Sequence, residues 1–299
     1  MIPFYKAHGL GNDFLIVDRE ALPDASEESL ALLAQQGCDR HRGIGADGVV
    51  YIFPGMDYPQ YDFSIRLFNS DGSEAEMSGN GIRCAAAVHH WKNPEASREV
   101  VLGSVVGRRV LRLIDRQGAK FTYVAEMGVP GFNPEDIPFA VEGMGRKVRP
   151  SPGNPRLVGV PLDVEDRTFE ITVMSVGNPQ CITLVEEFES FDWKRYGRAL
   201  ESHPRFPKKT NVEFVRVIDE HTVEIRIWER GAGHTESSGT GSIASALGAL
   251  LNGRATSPVR VITEGGVLQV EWKGEGEPVF LTGDAEIVCE GIFLGAKGI

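Results

Sequence analysis

The feature that most restricts how this chain can fold is an internal repeat. Residues 63–87 (FSIRLFNSDGSEAEMSGNGIRCAAA) align without a gap with residues 223–247 (VEIRIWERGAGHTESSGTGSIASAL). Each copy begins with alternating apolar residues, which is typical of a half-buried strand, and then passes through a polar loop to S-G-x-G and a run of small residues. A gapless match of this length makes chance similarity the weaker explanation.

A second pair of similar segments supports the duplication. Gly11-Asn12 precedes one apolar run, and Gly177-Asn178 precedes another. Two copies are too few for a solenoid, so the repeat predicts two similar lobes packed around a shared cleft. Residues 128–134 (GVPGFNP), which lie between the copies, have the composition of a turn and predict a hinge.

The remaining pattern predicts many short strands and few helices. Helices are expected at residues 27–36, 81–91, 193–201 and 241–251. Further strands are expected at residues 100–102, 109–113, 169–173, 212–217, 259–262 and 267–272. Because regular alternation of strands and helices is absent, the pattern favours an α+β fold over a parallel α/β fold.

Composition and charge exclude several classes of function. The chain carries 31 Lys and Arg against 42 Asp and Glu, a net charge of −11, which argues against a nucleic-acid binder. We find no signal peptide and no apolar run near the ~20 residues that span a bilayer. The four cysteines are widely spaced, which indicates a reducing compartment rather than disulfides or a zinc site. The sequence therefore predicts a cytoplasmic protein without metal, membrane or nucleic-acid partners.

The two S-G-x-G turns, residues 78–81 and 238–241, each stand where a helix should begin. The start of a helix leaves backbone N–H groups without partners and carries partial positive charge, and glycines allow a carboxylate to approach closely. For one copy, a serine that simply caps its helix would be the preferred interpretation. Two copies in symmetric lobes favour a split site for one small anionic ligand.

Two such turns on opposite faces of a ligand suit inversion at a carbon atom, because one group removes a proton while the opposite group supplies one. A Cys thiol, with a reference pKa of about 8.5, is well suited to this role. A Ser hydroxyl is a much weaker acid. Serine at either position therefore needs a separate base.

Several polar residues stand next to predicted strands. The asparagines in such turn-like segments are Asn12, Asn69, Asn80, Asn178 and Asn211. A single Asn favours a turn for local reasons, whereas several that converge would form a cradle for the polar groups of an amino acid. Glu229-Arg230 is either a surface ion pair or a pair that binds an ammonium and a carboxylate.

Nearly end to end, these residues resemble the diaminopimelate epimerase family. The motifs that carry the resemblance are HGLGNDF at 8–14, DRHRGIGADG at 39–48, FNSDGSEAEM at 68–77, GNGIRC at 79–84, GNP at 177–179, ESHPRFP at 201–207 and ERGAG at 229–233. So many motifs in the same order are highly specific.

The resemblance implies two pseudo-symmetric lobes, each a curved, mostly antiparallel sheet around a central helix, with the active site in the cleft between them. We place the lobes at residues 1–131, to which 277–299 return, and at 132–276. It also implies a homodimer that interconverts LL- and meso-2,6-diaminopimelate in lysine and peptidoglycan biosynthesis. The reaction would use two bases and neither pyridoxal phosphate nor any other cofactor.

The resemblance also assigns the site residues. The family's two proton-transferring cysteines fall on Ser78 and Ser238, which we group with Glu229 and Gln180 as catalytic. The residues assigned to substrate binding are Asn12, Asn69, Gly79, Asn80, Asn178, Asn211, Glu229, Arg230, Gly239 and Thr240. No metal ligand is implied.

Four positions depart from the family pattern. Both cysteines are Ser, Gln180 replaces the His of G-N-P-H, and His234 replaces the Glu of G-A-G-E-T. Three explanations compete: deliberate Cys→Ser changes, natural serines helped by a residue such as Glu229 or His234, and a diverged amino-acid-binding protein without catalysis. Gln180 and His234 are poor design choices and favour natural divergence. An isomerase of another amino acid is a further alternative.

Overall fold

The computed structural model describes residues 1–55, 60–75, 78–105, 107–134, 136–141 and 156–295. The chain divides into two compact units, Met1–Glu126 with Thr282–Ile299 and Met127–Leu281. The limits of these units lie a few residues from those of the predicted lobes at 1–131 with 277–299 and at 132–276. The lobes as independent domains stay a prediction.

The elements of the first unit follow one another along the chain. They are β1 (Ile2–Gly9), β2 (Asn12–Asp18), a short 3-10 helix (Arg19–Ala21), α1 (Glu27–Cys38), β3 (Gly48–Pro54), β4 (Phe63–Asn69), β5 (Glu74–Ala75), α2 (Gly79–Lys92), β6 (Glu99–Ser104), β7 (Gly107–Gln117) and β8 (Lys120–Glu126).

From its second strand onward, the second unit repeats this order without the 3-10 helix. Its elements are β9 (Leu157–Val164), β10 (Arg167–Ser175), β11 (Pro179–Leu184), α3 (Trp193–Glu201), β12 (Asn211–Asp219), β13 (Thr222–Glu229), β14 (Gly233–Thr235), α4 (Gly239–Leu251), β15 (Val259–Thr263) and β16 (Gly266–Trp272). The last strand, β17 (Val279–Phe293), has residues in both units.

Strand pairing shows that the duplication extends well beyond the aligned 25 residues. In the first unit β1–β2 and β3–β4 are antiparallel, whereas β2–β3 and β4–β6 are parallel. In the second unit β10–β11 and β12–β13 are antiparallel, whereas β11–β12 and β13–β15 are parallel. The mostly antiparallel α+β architecture is confirmed.

Each unit is built around a central helix that begins at the aligned repeat. Residues 79–88 of α2 and 239–249 of α4 are all buried. A helix that is enclosed on all sides requires apolar or small residues around its whole circumference, which explains the alanine- and glycine-rich sequences of both. The central helices predicted from the resemblance are therefore present.

The outer helices α1 and α3 cover the other face of the sheets. Val212 and Phe214 of β12 belong to the same apolar cluster as Tyr196 and Leu200 of α3. Because side chains alternate along a strand, the residue between Val212 and Phe214 points to the opposite face, toward α4.

The elements expected from the sequence are present. The four predicted helices correspond to α1 to α4, and the six further strands lie within β6, β7, β10, β12, β15 and β16. Within the ranges described above, no helix combines the length and apolar character needed to cross a membrane.

Candidate functional site

Each S-G-x-G turn forms the N-terminus of a central helix. The hydroxyl of Ser78 accepts a hydrogen bond from the N–H of Gly81 at 3.0 Å, and that of Ser238 accepts one from Gly241 at 3.2 Å. Both serines are therefore true helix caps. Helix geometry leaves the N–H groups of residues 79–80 and of residues 239–240 without an intrahelical acceptor, so they are oriented to bind an anion.

An asparagine from a G-N turn contacts the start of each central helix. Asn80 donates through Nδ2 to Asn12 Oδ1 at 3.0 Å, and Asn178 donates through Nδ2 to Thr240 Oγ1 at 3.5 Å. The turns that present Asn12 and Asn178 require glycine before them, since Gly11 and Gly177 have φ of 85° and 86°. The structure thus brings equivalent predicted residues together within each unit.

In the first unit, hydrogen bonds run in one direction through the site. The fully buried Arg83 donates through Nη2 to Asn80 Oδ1, and Asn12 donates through Nδ2 to Asp47 Oδ2 at 2.7 Å. Burial lowers the pKa of Arg83 to about 10, so its guanidinium stays charged at neutral pH. A cation at one end and a carboxylate at the other fix the orientation of both amides.

Ion pairs hold Asp47 in place. Arg40 Nη2 lies 2.8 Å from Asp13 Oδ1 and 2.9 Å from Asp47 Oδ1, and Lys6 Nζ lies 2.9 Å from Asp13 Oδ2. Burial alone would raise the pKa of Asp13, but the hydrogen bonds and charges of Arg40 and Lys6 outweigh it and lower that pKa. The motifs at 8–14 and 39–48 therefore meet, and Arg40 and Asp47, which were not among the predicted site residues, support the site.

Asn69 lies at the end of β4 and is exposed. Its Nδ2 donates to Ser73 Oγ at 3.0 Å, and it pairs across the sheet with Gly48, the residue after Asp47. Asn69 therefore belongs to the same end of the sheet as the Asp47 loop.

In the second unit, the predicted residues form a connected group. Gln180 donates through Nε2 to Asn178 Oδ1 at 2.6 Å. Asn211 donates through Nδ2 to the carbonyl of Pro179 at 3.0 Å and accepts the backbone N–H of Arg230 at 2.9 Å. These bonds join the GNP turn to the segment that carries Glu229 and Arg230.

Glu201, at the end of α3, fixes that segment from the other side. Its carboxylate accepts hydrogen bonds from Trp228 Nε1 at 2.8 Å, the N–H of Gly231 at 3.1 Å and Lys209 Nζ at 3.1 Å. Burial would raise the pKa of Glu201, but these three donors outweigh it and lower that pKa.

We predict that Glu201→Gln removes part of the acid sensitivity of folding. A carboxyl whose pKa is lowered in the native state stabilises the fold above its unfolded pKa of about 4.3, and this stabilisation is lost as the pH falls through the native value. Near pH 7 the variant should lose about 1.5–3 kcal/mol, and the difference should shrink below pH 4. Urea unfolding at several pH values measures this, and a pH-independent difference would contradict it.

Cys84 and Cys181, which lie near the two half-sites, do not take over the role of the family's two cysteines at positions 78 and 238. Burial raises the pKa of Cys84 to about 12 and that of Cys181 well above its usual value, so both thiols stay neutral. Among the described side chains, no group of three or more His, Cys, Asp or Glu is arranged to hold a metal ion.

His234 lies on the face of β14 away from α4. Its Nε2 is 2.6 Å from Glu264 Oε2, and its ring packs edge-on against Trp193 of α3. Since the next residue, Thr235, points to the opposite face, the geometry does not favour His234 as the helper of Ser238.

The fold places the chain in a class of two-unit proteins with central helices. A probable proline racemase from Agrobacterium radiobacter K84 superposes with a TM-score of 0.68 at 14% identity, covering 98% of this chain and 92% of that one. A hydroxyproline epimerase from Agrobacterium vitis superposes with a TM-score of 0.65 at 14% identity, covering 99% and 92%. At these identities the likeness defines the fold.

Sequence comparison defines the family. The family model described as diaminopimelate epimerase matches residues 4–132 and 172–288. The diaminopimelate epimerase of Microcystis aeruginosa is 39% identical over 98% of this chain and 99% of its own length, and that of Desulfitobacterium hafniense is 40% identical over 97% of each. The chain belongs to the diaminopimelate epimerase family.

Proposed function

We propose that this protein interconverts LL- and meso-2,6-diaminopimelate by proton transfer at one α-carbon. The observation that carries the proposal is the duplicated half-site. In each unit a serine caps a buried central helix. An asparagine from a G-N turn contacts the second residue of that helix, Asn80 in the first unit and Thr240 in the second. Membership of the family supplies the substrate.

The roles follow from the chemistry of each group. The N–H groups of residues 79–80 and 239–240 bind the α-carboxylate, where they also stabilise the charge that develops as the proton leaves. Ser78 and Ser238 exchange protons with opposite faces of the α-carbon. Glu229 and Gln180 belong to the catalytic group with the two serines. The side chains that bind and orient the remaining polar groups of the substrate are Asn12, Asn69, Asn178, Asn211, Glu229 and Arg230.

The proposal includes three further properties implied by the resemblance. Catalysis proceeds without pyridoxal phosphate, the protein assembles as a homodimer, and it works in the cytoplasm. Size-exclusion chromatography with light scattering tests the dimer, and the absorbance spectrum of the purified protein tests for pyridoxal phosphate.

Isotope exchange tests the proposed activity. Incubation with LL-diaminopimelate in deuterated water should slowly replace the α-proton, seen as loss of its NMR signal, and should produce the meso isomer. Binding without exchange, in the wild type and after cysteine is restored at residues 78 and 238, would contradict an epimerase. Exchange on other amino acids but not on diaminopimelate would contradict the substrate.

The serines favour one alternative, an amino-acid-binding protein without catalysis, because an unassisted hydroxyl is a poor acid and base at neutral pH. Calorimetry would then give micromolar affinity for the same ligand with no exchange at any pH.

We predict that Asp47→Asn weakens diaminopimelate binding about 10-fold, or about 1.4 kcal/mol. Asn12 loses the charged acceptor that orients its amide, and Arg40 loses one carboxylate. Calorimetry with diaminopimelate measures the change, with Asp115→Asn on the exposed end of β7 as the control. Equal affinities in both variants would show that Asp47 does not position Asn12 for the ligand.

A further inference from the structure

Glu213 of β12 is a fully buried carboxyl group for which no hydrogen-bond partner is found among the described residues. It lies between Val212 and Phe214, which pack toward α3, so its side chain faces α4. Buried polar groups are almost always paired, because an unpaired one loses its hydration without compensation. An exception of this kind calls for an explanation.

The carboxyl group lies at the first turn of α4, near the hydroxyl of Ser238 but without a hydrogen bond to it. A Cβ atom placed on Gly241 would lie 3.0 Å from Glu213 Oε1 and 3.3 Å from Ser238 Oγ. The two oxygens therefore flank the same point of the turn. Ser237 Oγ and Gln180 Oε1 are also buried without a partner in the described part of the chain.

The buried position of Glu213 favours its protonated form. Burial, and then the charge of Glu229 at the end of β13, raise its pKa well above the usual value. The thiol of Cys181 on β11 lies on the opposite face of the sheet, packed with Val212 and Phe214, and burial raises its pKa well above the usual value. A protonated carboxyl group near a serine hydroxyl can donate a proton to it through one water, since the two groups are not hydrogen-bonded directly.

The first unit provides an internal comparison. Val50 pairs with Leu67 as Glu213 pairs with Ile227, and Leu67 and Ile227 occupy matching positions in the aligned repeat. Val50 is fully buried and cannot titrate. A titratable group is thus present near Ser238, whereas an apolar residue occupies the matching position in the unit that contains Ser78.

We propose that Glu213 is the proton partner of Ser238, which makes the two proton-transfer positions unequal; this inference rests on the proposed function. In the donating direction, the hydroxyl proton of Ser238 moves to the α-carbanion, whose electron pair forms the new C–H bond. The proton of Glu213 replaces it on Ser238, and the carboxylate keeps the electron pair of the broken O–H bond. In the reverse direction the C–H bond breaks, and Glu213 finally receives the proton.

Glu213→Gln tests the inference because the amide has nearly the same shape but cannot release a proton. We expect about a 100-fold loss of α-proton exchange, and loss of the inflection that Glu213 gives the wild-type rate profile at a pH above the usual range of a carboxyl group. Glu213→Val, which introduces the residue found at the matching position 50 of the first unit, should lose exchange to the same extent as Glu213→Gln. Val50→Ala alters the matching position without changing a titratable group and should keep the wild-type pH profile.

Two outcomes separate this inference from the proposed function. Exchange in Glu213→Gln at the wild-type rate and with the wild-type profile overturns the inference alone. No exchange in the wild type or in the variant with cysteines at residues 78 and 238 overturns the proposed function and this inference with it.

The protonation state of Glu213 can also be measured in the wild type, so this test does not depend on whether a variant folds. Carboxyl carbon-13 NMR should show Glu213 protonated at pH 7, and its resonance should shift when diaminopimelate binds. A Glu213 carboxylate that is ionised at pH 7 would overturn the inference.

Discussion

Restoring cysteine at both positions, Ser78→Cys with Ser238→Cys, is expected to raise α-proton exchange on diaminopimelate about 100-fold or more. Both residues cap central helices, and the N-terminus of a helix lowers the pKa of a thiol from about 8.5. A well-placed acid or base contributes about 10²–10⁴-fold to a rate. NMR in deuterated water measures the exchange, and the same experiment follows meso product.

The single variants should differ. If Glu213 already assists Ser238, then Ser78 is the weaker position, and Ser78→Cys alone should recover more activity than Ser238→Cys alone. Ser26 caps α1 by the same contact, from the N–H of Ser29 at 3.2 Å, so Ser26→Cys is a matched control that places a thiol elsewhere. An equal gain in Ser26→Cys, or no gain in the double variant, would contradict the assignment of the two serines.

Gly43→Ala is expected to destabilise the protein by about 3 kcal/mol or more. A Cβ at Gly43 would lie 2.1 Å from the carbonyl oxygen of Gln36 and 2.7 Å from that of Gly37, at the end of α1. Backbone atoms cannot yield as a side chain can, so the loop that carries Asp47 must move. We expect the melting temperature to fall by roughly 6–12 °C, measured by calorimetry.

Gly131→Ala is the control for this change. A Cβ at Gly131 meets nothing closer than Ser175 Cβ at 3.6 Å, which is an ordinary contact. Its melting temperature should stay near that of the wild type. Equal melting temperatures for Gly43→Ala and Gly131→Ala would show that the loop accommodates the methyl group easily.

The repeat made the core of the fold predictable. Its two copies predicted strands β4 and β13 and the central helices α2 and α4. Apolar alternation is typical of a strand, and S-G-x-G followed by small residues is typical of the start of a buried helix. The parallel pairing of β2 with β3 and of β11 with β12 was not predicted. It joins strands separated by α1 or α3, and local periodicity does not report which strands become neighbours.

The site was predictable only where a motif marked it. Sequence motifs or turn-like segments identified Asn12, Asn80, Asn178 and Asn211. In the structure each of these residues is hydrogen-bonded to other predicted site residues of its own unit. Arg40 and Asp47 lie in the motif at 39–48, but their supporting role was missed because their partners are distant in sequence. Glu213 was missed although its signal was visible, since a charged residue inside the otherwise apolar strand NVEFV is unusual and has to be explained.

A crystal structure with bound diaminopimelate would show whether both helix caps act on one α-carbon. We expect one α-carboxylate held by the N–H groups of residues 79–80 and 239–240, with the hydroxyls of Ser78 and Ser238 on opposite faces of the α-carbon. A ligand held by one of the two turns alone, with the other serine away from the α-carbon, would contradict this expectation.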